Sequence, residues 1–250
     1  MGAEDESDAF ARLEEIAEAL DAEAQARAEG LAPRASDPDA LAGVREAMDR
    51  VDTALANVLS AIGGWEVVPK ELVPLGLGRA AKGRTVWRLV EEVVKQNLQV
   101  RAEELGLADV TVPEDEVGPY DCVVSTGELP SVHLNLKAAG TSGRANKDDV
   151  SKAEAIEEFY RSGGDDALLC VAVVKLEFVE TRIEFRGHQL FNVAWIPDIY
   201  VNPSNNNLQS SKYRTDRTER TNIDFLALLE AQLAAAHAKR AAKAATGRRV

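Results

Sequence analysis

Two short stretches carry the side chains best suited to chemistry. The first is Pro119-Tyr120-Asp121-Cys122-Val123-Val124-Ser125, the second Val132-His133-Leu134-Asn135-Leu136-Lys137. Both read as strands, joined by a turn at 126–131. Residues two apart on a strand share a face, so Asn135 and Lys137 point one way while Leu134 and Leu136 point into a core. Asp121 begins the first strand, and a carboxylate, an amide and an ammonium group can converge at one sheet end. A carboxylate is a hard oxygen ligand for a divalent cation. An ammonium group steadies negative charge that develops in a reaction.

A second polar concentration lies at 199–214: Ile199-Tyr200-Val201-Asn202-Pro203-Ser204-Asn205-Asn206-Asn207-Leu208-Gln209-Ser210-Ser211-Lys212-Tyr213-Arg214. Asn and Gln amides can pair with adenine edges, and Arg or Lys with guanine. Ser hydroxyls and backbone amides suit phosphates. Alone, the stretch reads as a flexible polar loop. Beside Asp121 and Lys137 it reads as a recognition loop, with Ser204, Asn205, Asn206, Asn207, Gln209, Ser211, Lys212 and Arg214 as its contacts. His133 shares the Asn135 face and reads as a satisfied strand histidine. His188 and His237 have no ligand spacing, so no zinc site is expected.

The elements that must position these groups follow from periodicity. Residues 5–30 and 38–62 read as a helix pair, broken at Gly30, Pro33 and 36–38. Leu41, Val44, Met48, Val51, Leu55 and Leu59 form one face of the second helix, and Gly63-Gly64 ends it. Residues 65–84 read as an irregular basic connector. A helix at 85–105 carries Val86, Leu89, Val90, Val93, Val94 and Leu98, with Asn97 and Arg101 intruding on the stripe. Glu91 lies at the rim of that stripe and Glu92 points away from it. Strands are expected at 110–112, 120–125, 132–136, 167–176 and 179–185, with shorter ones at 191–196 and 199–201. A helix is expected from about 150 to 161 and a last one at about 221–246. That order gives an α/β (α+β) fold, a central mixed sheet flanked by helices. Residues 1–64 form a helical arm or dimerisation region, and 65–250 a catalytic domain.

Composition narrows the class. The 250 residues are 45% hydrophobic and 28% charged, values of a globular chain rather than a disordered or fibrous one. The net charge of −13 disfavours a general polyanion binder. It is uneven, however: residues 1–50 hold 14 acidic against 5 basic residues, and 201–250 hold 4 against 9. Cys122 and Cys170 sit in apolar runs and read as buried thiols, so no disulfide scaffold is expected. The acidic start MGAEDESDAF lacks a signal pattern, and no apolar run suits a membrane span; a cytoplasmic protein is expected.

The stretch 119–137 resembles the PD-(D/E)XK nucleases, and among them the type II restriction endonucleases. Their motif is an Asp opening one strand and an acid-X-Lys triplet on the next. Asn135 stands where the acid is expected; it keeps a carbonyl oxygen but lacks the charge. Some members place that acid on a neighbouring helix, which points to Glu91, with Glu128 a weaker candidate. The resemblance implies Mg²⁺ held by Asp121, Glu91 and the Leu136 carbonyl, with Lys137 orienting water. Asp121, Asn135, Lys137 and Glu91 are thus the expected catalytic residues. It extends loosely through the segment after Lys137, where Arg144, Asn146 and Lys147 would touch the DNA backbone. The implied activity is Mg²⁺-dependent, site-specific cleavage of double-stranded DNA by a homodimer. A non-catalytic DNA-binding module with a decayed site and a structure-specific repair nuclease are the competing readings.

Overall fold

The computed structural model describes residues 41–113, 118–140, 148–210 and 217–245. The first expected helix, at 5–30, lies outside them. The chain forms two compact units. One comprises residues 37–146 and 166–196, the other 1–36, 147–165 and 197–250.

The first unit is built on a six-stranded mixed sheet. Its elements are α1 (Ala42–Ile62), β1 (Gly64–Glu66), α2 (Arg79–Val100), β2 (Asp109–Thr111), β3 (Cys122–Ser125), β4 (Val132–Gly140), β6 (Leu169–Val179) and β7 (Arg182–Asn192). The order across the sheet is β1-β7-β6-β4-β3-β2. Only β4 and β6 pair in parallel, with Asn135 beside Val171 and Lys137 beside Val173. A parallel pair needs a long crossover, and the chain makes it through the second unit.

Helix α1 buries Met48, Val51, Leu55 and Leu59 of the expected face, with Val58 beside them and Val44 only half-buried, and packs on β7. Each such side chain contributes about 1.5–3 kcal/mol as an upper figure. The helix ends where Gly63 takes a φ of 64°, a left-handed stop that favours glycine. Helix α2 packs on β4 with Val86, Val90, Val94 and Leu98 buried. Leu89, assigned to that stripe, is instead 43% exposed, because the contact runs along the i, i+4 row. The intruding Asn97 returns its amide to the Val93 carbonyl, and Arg101 pairs with Glu104 past the helix end.

Strand β6 is buried from Leu169 to Val174, as a strand covered on both faces should be, then alternates towards the β6–β7 turn. Strand β7 is continuous over Arg182–Asn192 where two strands, 179–185 and 191–196, were expected; Val179 ends β6, and Val193–Trp195 form a short 3-10 turn instead of a strand. A bulge at Arg186-Gly187, with Gly187 at φ 106°, shifts its register there and mimics a break in the sequence pattern.

The second unit holds β5 (Asp148–Lys152), α3 (Ala153–Gly163), β8 (Tyr200–Val201), β9 (Asn207–Ser210) and α4 (Asn222–Ala245). Its strands form an antiparallel sheet in the order β5-β9-β8. Tyr160 of α3 meets Phe225 of α4 edge-on, ring centroids 5.0 Å apart. Thr221 caps α4: its hydroxyl accepts from the Asp224 amide and donates to the Asp224 carboxylate.

Three boundaries differ from expectation. Val150, placed at a helix start, lies in β5, and the helix begins at Ala153. Part of the 65–84 connector is helical, since α2 starts at Arg79. Strand β4 runs to Gly140, so Lys137 is interior to a strand rather than at its end. Small polar residues carry no apolar period, and pairing with β6 decides the outcome.

Candidate functional site

The site is built on the edge of β4 that β3 leaves uncovered. The β3–β4 register runs from Cys122 opposite Leu134 to Val124 opposite Val132. Just before β3, Asp121 grips β4 twice. Its amide donates to the Leu134 carbonyl over 2.8 Å, and its Oδ2 accepts from the Leu136 amide over 2.6 Å. Charge-assisted bonds of this kind are short and roughly twice as strong as neutral ones.

Further along the same edge, the Ala138 amide lies near enough to the Glu91 carboxylate to favour its charged form. The N–H and C=O of one strand residue face the same side, so the Leu136 carbonyl faces this edge too, between the two carboxylates. Burial is the main cause that lifts the Glu91 pKa above the usual carboxylate value, and the Asp121 charge adds to it. Lys137 opposes the shift, as do the Ala138 amide and Arg88. Asp121 before β3 and Lys137 on β4 thus both lie close enough to act on Glu91 of α2.

Asn135 is 8% exposed. Its Nδ2 donates to the Pro119 carbonyl over 2.7 Å, which pins the segment leading into Asp121. Its Oδ1 is buried and has no hydrogen-bond partner among the described residues. His133 meets Tyr120 edge-on at 4.7 Å, and burial depresses its pKa, so it packs as a neutral ring. Glu128 is exposed in the turn.

An open cleft of about 280 Å³ adjoins Asp121 and Glu91. Arg88, Glu92, Lys95 and Tyr120 also line it. Glu92, taken to point away, faces this cleft while bonding Lys95 and Gln96. Arg88 and Lys95 escape a reading centred on the strands. Their spacing from Glu91, three residues before and four after, is the signal that locates them on its helical face.

The donors suit a hard divalent cation. Mg²⁺ takes one or two carboxylates, keeps several waters and prefers oxygen. Asp121, Glu91 and the Leu136 carbonyl offer that set, with Asn135 Oδ1 an orphaned oxygen beside it in sequence. Among the described residues, no group of three His, Cys, Asp or Glu side chains is placed to hold a metal ion, so a cation here would rest on two carboxylates, a backbone carbonyl and water.

No family model matches the chain. No curated protein matches it either. Among solved structures, it is similar to the NlaIV restriction endonuclease. The TM-score is 0.41 at 13% identity, covering 66% of this chain and 76% of that one. A likeness that distant assigns no residue and no activity to this chain.

The Asn-rich segment forms a turn and a strand in the second unit. Asn202 Oδ1 accepts from the Ser204 amide and Asn205 Oδ1 from the Asn207 amide, local bonds that Asn favours. Asn206, at φ 54°, is buried; it donates to Glu154 and accepts from Arg240. Asn207 and Gln209 both donate to the Asp149 carboxylate. Ser204 and Asn205 are exposed. The other residues named for DNA contact, Arg144, Asn146, Lys147, Ser211, Lys212 and Arg214, lie outside the described residues. No described helix is long and apolar enough to cross a membrane.

Proposed function

We propose that the chain is a Mg²⁺-dependent deoxyribonuclease that cuts double-stranded DNA at specific sites, as a type II restriction endonuclease does, and acts as a homodimer. The observation that carries this reading is the strand edge where the Leu136 amide holds the Asp121 carboxylate, with Glu91 close enough to feel both Asp121 and Lys137. It matches the residue pattern of the PD-(D/E)XK nucleases with the acid moved to a helix.

Mg²⁺ held by Asp121, Glu91 and the Leu136 carbonyl would acidify a water and offset phosphate charge. The chain's own groups do the rest. Leu136 N–H keeps Asp121 Oδ2 in place, so the carboxylate needs no reorganisation during the reaction. Lys137 Nζ orients the attacking water and meets the negative charge that grows on the phosphate oxygens. Asn135 positions rather than ligates through its Nδ2, by holding the Pro119 carbonyl. Ser204 and Asn205 are the described polar residues of the recognition segment best disposed to reach DNA, since both are exposed, while Asn206, Asn207 and Gln209 donate to Glu154 and Asp149. Two copies would cut the two strands of a two-fold symmetric site.

The test is incubation with phage DNA, with and without Mg²⁺, resolved on a gel. A discrete fragment ladder that needs Mg²⁺ is the expected result. A smear of random nicks indicates a structure-directed nuclease. Binding without any cleavage indicates a module whose Asn135 marks a lost site.

A further inference from the structure

Helix α2 presents charged residues of alternating sign to the cleft: Arg88, Glu91, Glu92 and Lys95. They stand at i, i+3, i+4 and i+7, one face of a helix. The carboxylates have the roles described above. The cations have no comparable role. Lys95 bonds Glu92 at 2.6 Å with its side chain 22% exposed, and Arg88 stands exposed at the rim. An ion pair at such a surface adds little stability. Yet both cations face the cleft, close enough for Arg88 to act on Glu91 and Lys95 on Asp121.

Charge balance gives them a use. In a chain of net charge −13, a polyanion meets repulsion unless the site itself is cationic. Among the residues that line the cleft, Glu91, Glu92 and Asp121 exceed Arg88 and Lys95 by one charge. A dication on the carboxylates therefore leaves the cleft net positive. Positions 88 and 95 are separated by about 10 Å along the helix axis, at 1.5 Å per residue. A face of that length can meet more than one phosphate, since each strand carries a charge per about 3.4 Å of duplex axis.

We propose that Arg88 and Lys95 form a backbone clamp, two cations at opposite ends of the Glu91 face that grip separate phosphates flanking the one to be cut. The clamp rests on the nuclease reading and deepens it. It contacts phosphates alone, so it adds affinity and register without sequence preference. The two are positioning residues, since neither touches the reacting atoms.

The test uses the full chain, fluorescent duplex DNA in Ca²⁺ or Mg²⁺, and a salt titration. The variants are Arg88→Gln, Lys95→Gln and the double, with Arg182→Gln as a control of equal charge change outside the cleft. Each single variant should flatten the slope of log K against log salt by roughly one, and the double by roughly two. On phage DNA the double variant should raise KM about tenfold or more while kcat changes less. Glu92→Gln, which removes the same ion pair and keeps the cation, should retain the parental salt slope, which loss of a fold-supporting pair would not predict. Unchanged slopes in variants whose parent cuts DNA overturn the clamp and leave the nuclease reading standing. A parent protein that neither binds nor cuts duplex DNA overturns both.

Discussion

The Leu136 amide donates to Asp121 Oδ2 over 2.6 Å, so a carboxylate is held by the backbone of the strand that carries Lys137. The Ala138 amide acts on Glu91 from the same strand edge. Main-chain donors move only if the sheet moves. Substitutions that keep an oxygen at these positions should therefore preserve geometry and change charge alone.

Asp121→Asn keeps an acceptor for Leu136 and removes the charge. Its circular dichroism should match the parent, and Mg²⁺-dependent cleavage should fall by about 10²-fold or more. Lys137→Ala should lose cleavage to a similar extent and retain DNA binding. Plasmid cleavage is the measurement, and a parental rate in either variant sinks the site assignment.

Glu91 gives a pH dependence. Its folded pKa lies above the ordinary 4.5, chiefly through burial. Between that value and the raised one, the folded state binds more protons than the unfolded state. Stability thus falls as pH rises through this window and stays reduced above it. In EDTA, Glu91→Gln should be more stable than the parent at pH 7 by a fraction of a kcal/mol after solvent screening, roughly 1–3 °C in Tm. The gap should close below about pH 4, where both side chains are neutral. Mg²⁺ should raise the parent's Tm more than the variant's. A variant less stable than the parent at pH 7 contradicts the burial cost.

Both thiols should resist alkylation. Cys122 and Cys170 are fully buried, which pushes the Cys122 pKa up to about 12 and Cys170 higher still. The thiolate is the nucleophile, and at pH 8 almost none is present. Intact-mass spectrometry should find no iodoacetamide adduct on the folded protein and two after denaturation. Rapid labelling of either cysteine in the folded chain would place it at the surface.

Gly64 tests the join between α1 and the sheet. A Cβ there would sit 2.1 Å from the Ile183 carbonyl oxygen, on the strand paired with β1. Gly64→Ala should cost roughly 1–3 kcal/mol or more, since backbone must shift to admit it. Urea unfolding should show a lower midpoint with the slope retained. An unchanged midpoint means that β1 does not hold this register.

Much of the sheet was legible in the residues. The apolar run at 167–174 foretold a strand covered on both faces, and the Leu134/Leu136 against Asn135/Lys137 alternation foretold the two faces of β4. The helix stripe of α1 was equally plain, because each pattern repeats with the period of its own backbone. Boundaries failed where side chains were small or polar. Val150 joined a strand through pairing with β9, and Gly187 broke the pattern of β7 without breaking the strand.

The site was legible only in part. Asp121 and Lys137 stood out by type and by strand spacing, and Glu91 by its place at the rim of a helical stripe. Spacing puts Arg88 and Lys95 on the Glu91 face of α2, but nothing in the chain announces that this face comes close to Asp121 and opens on a cleft. Nor does composition reveal that Asn206, Asn207 and Gln209 spend their amides on Glu154 and Asp149. Periodicity reports which face of an element is apolar, since that depends on residues a few positions apart. Which elements then meet depends on burying those faces together, and only the packed chain decides it.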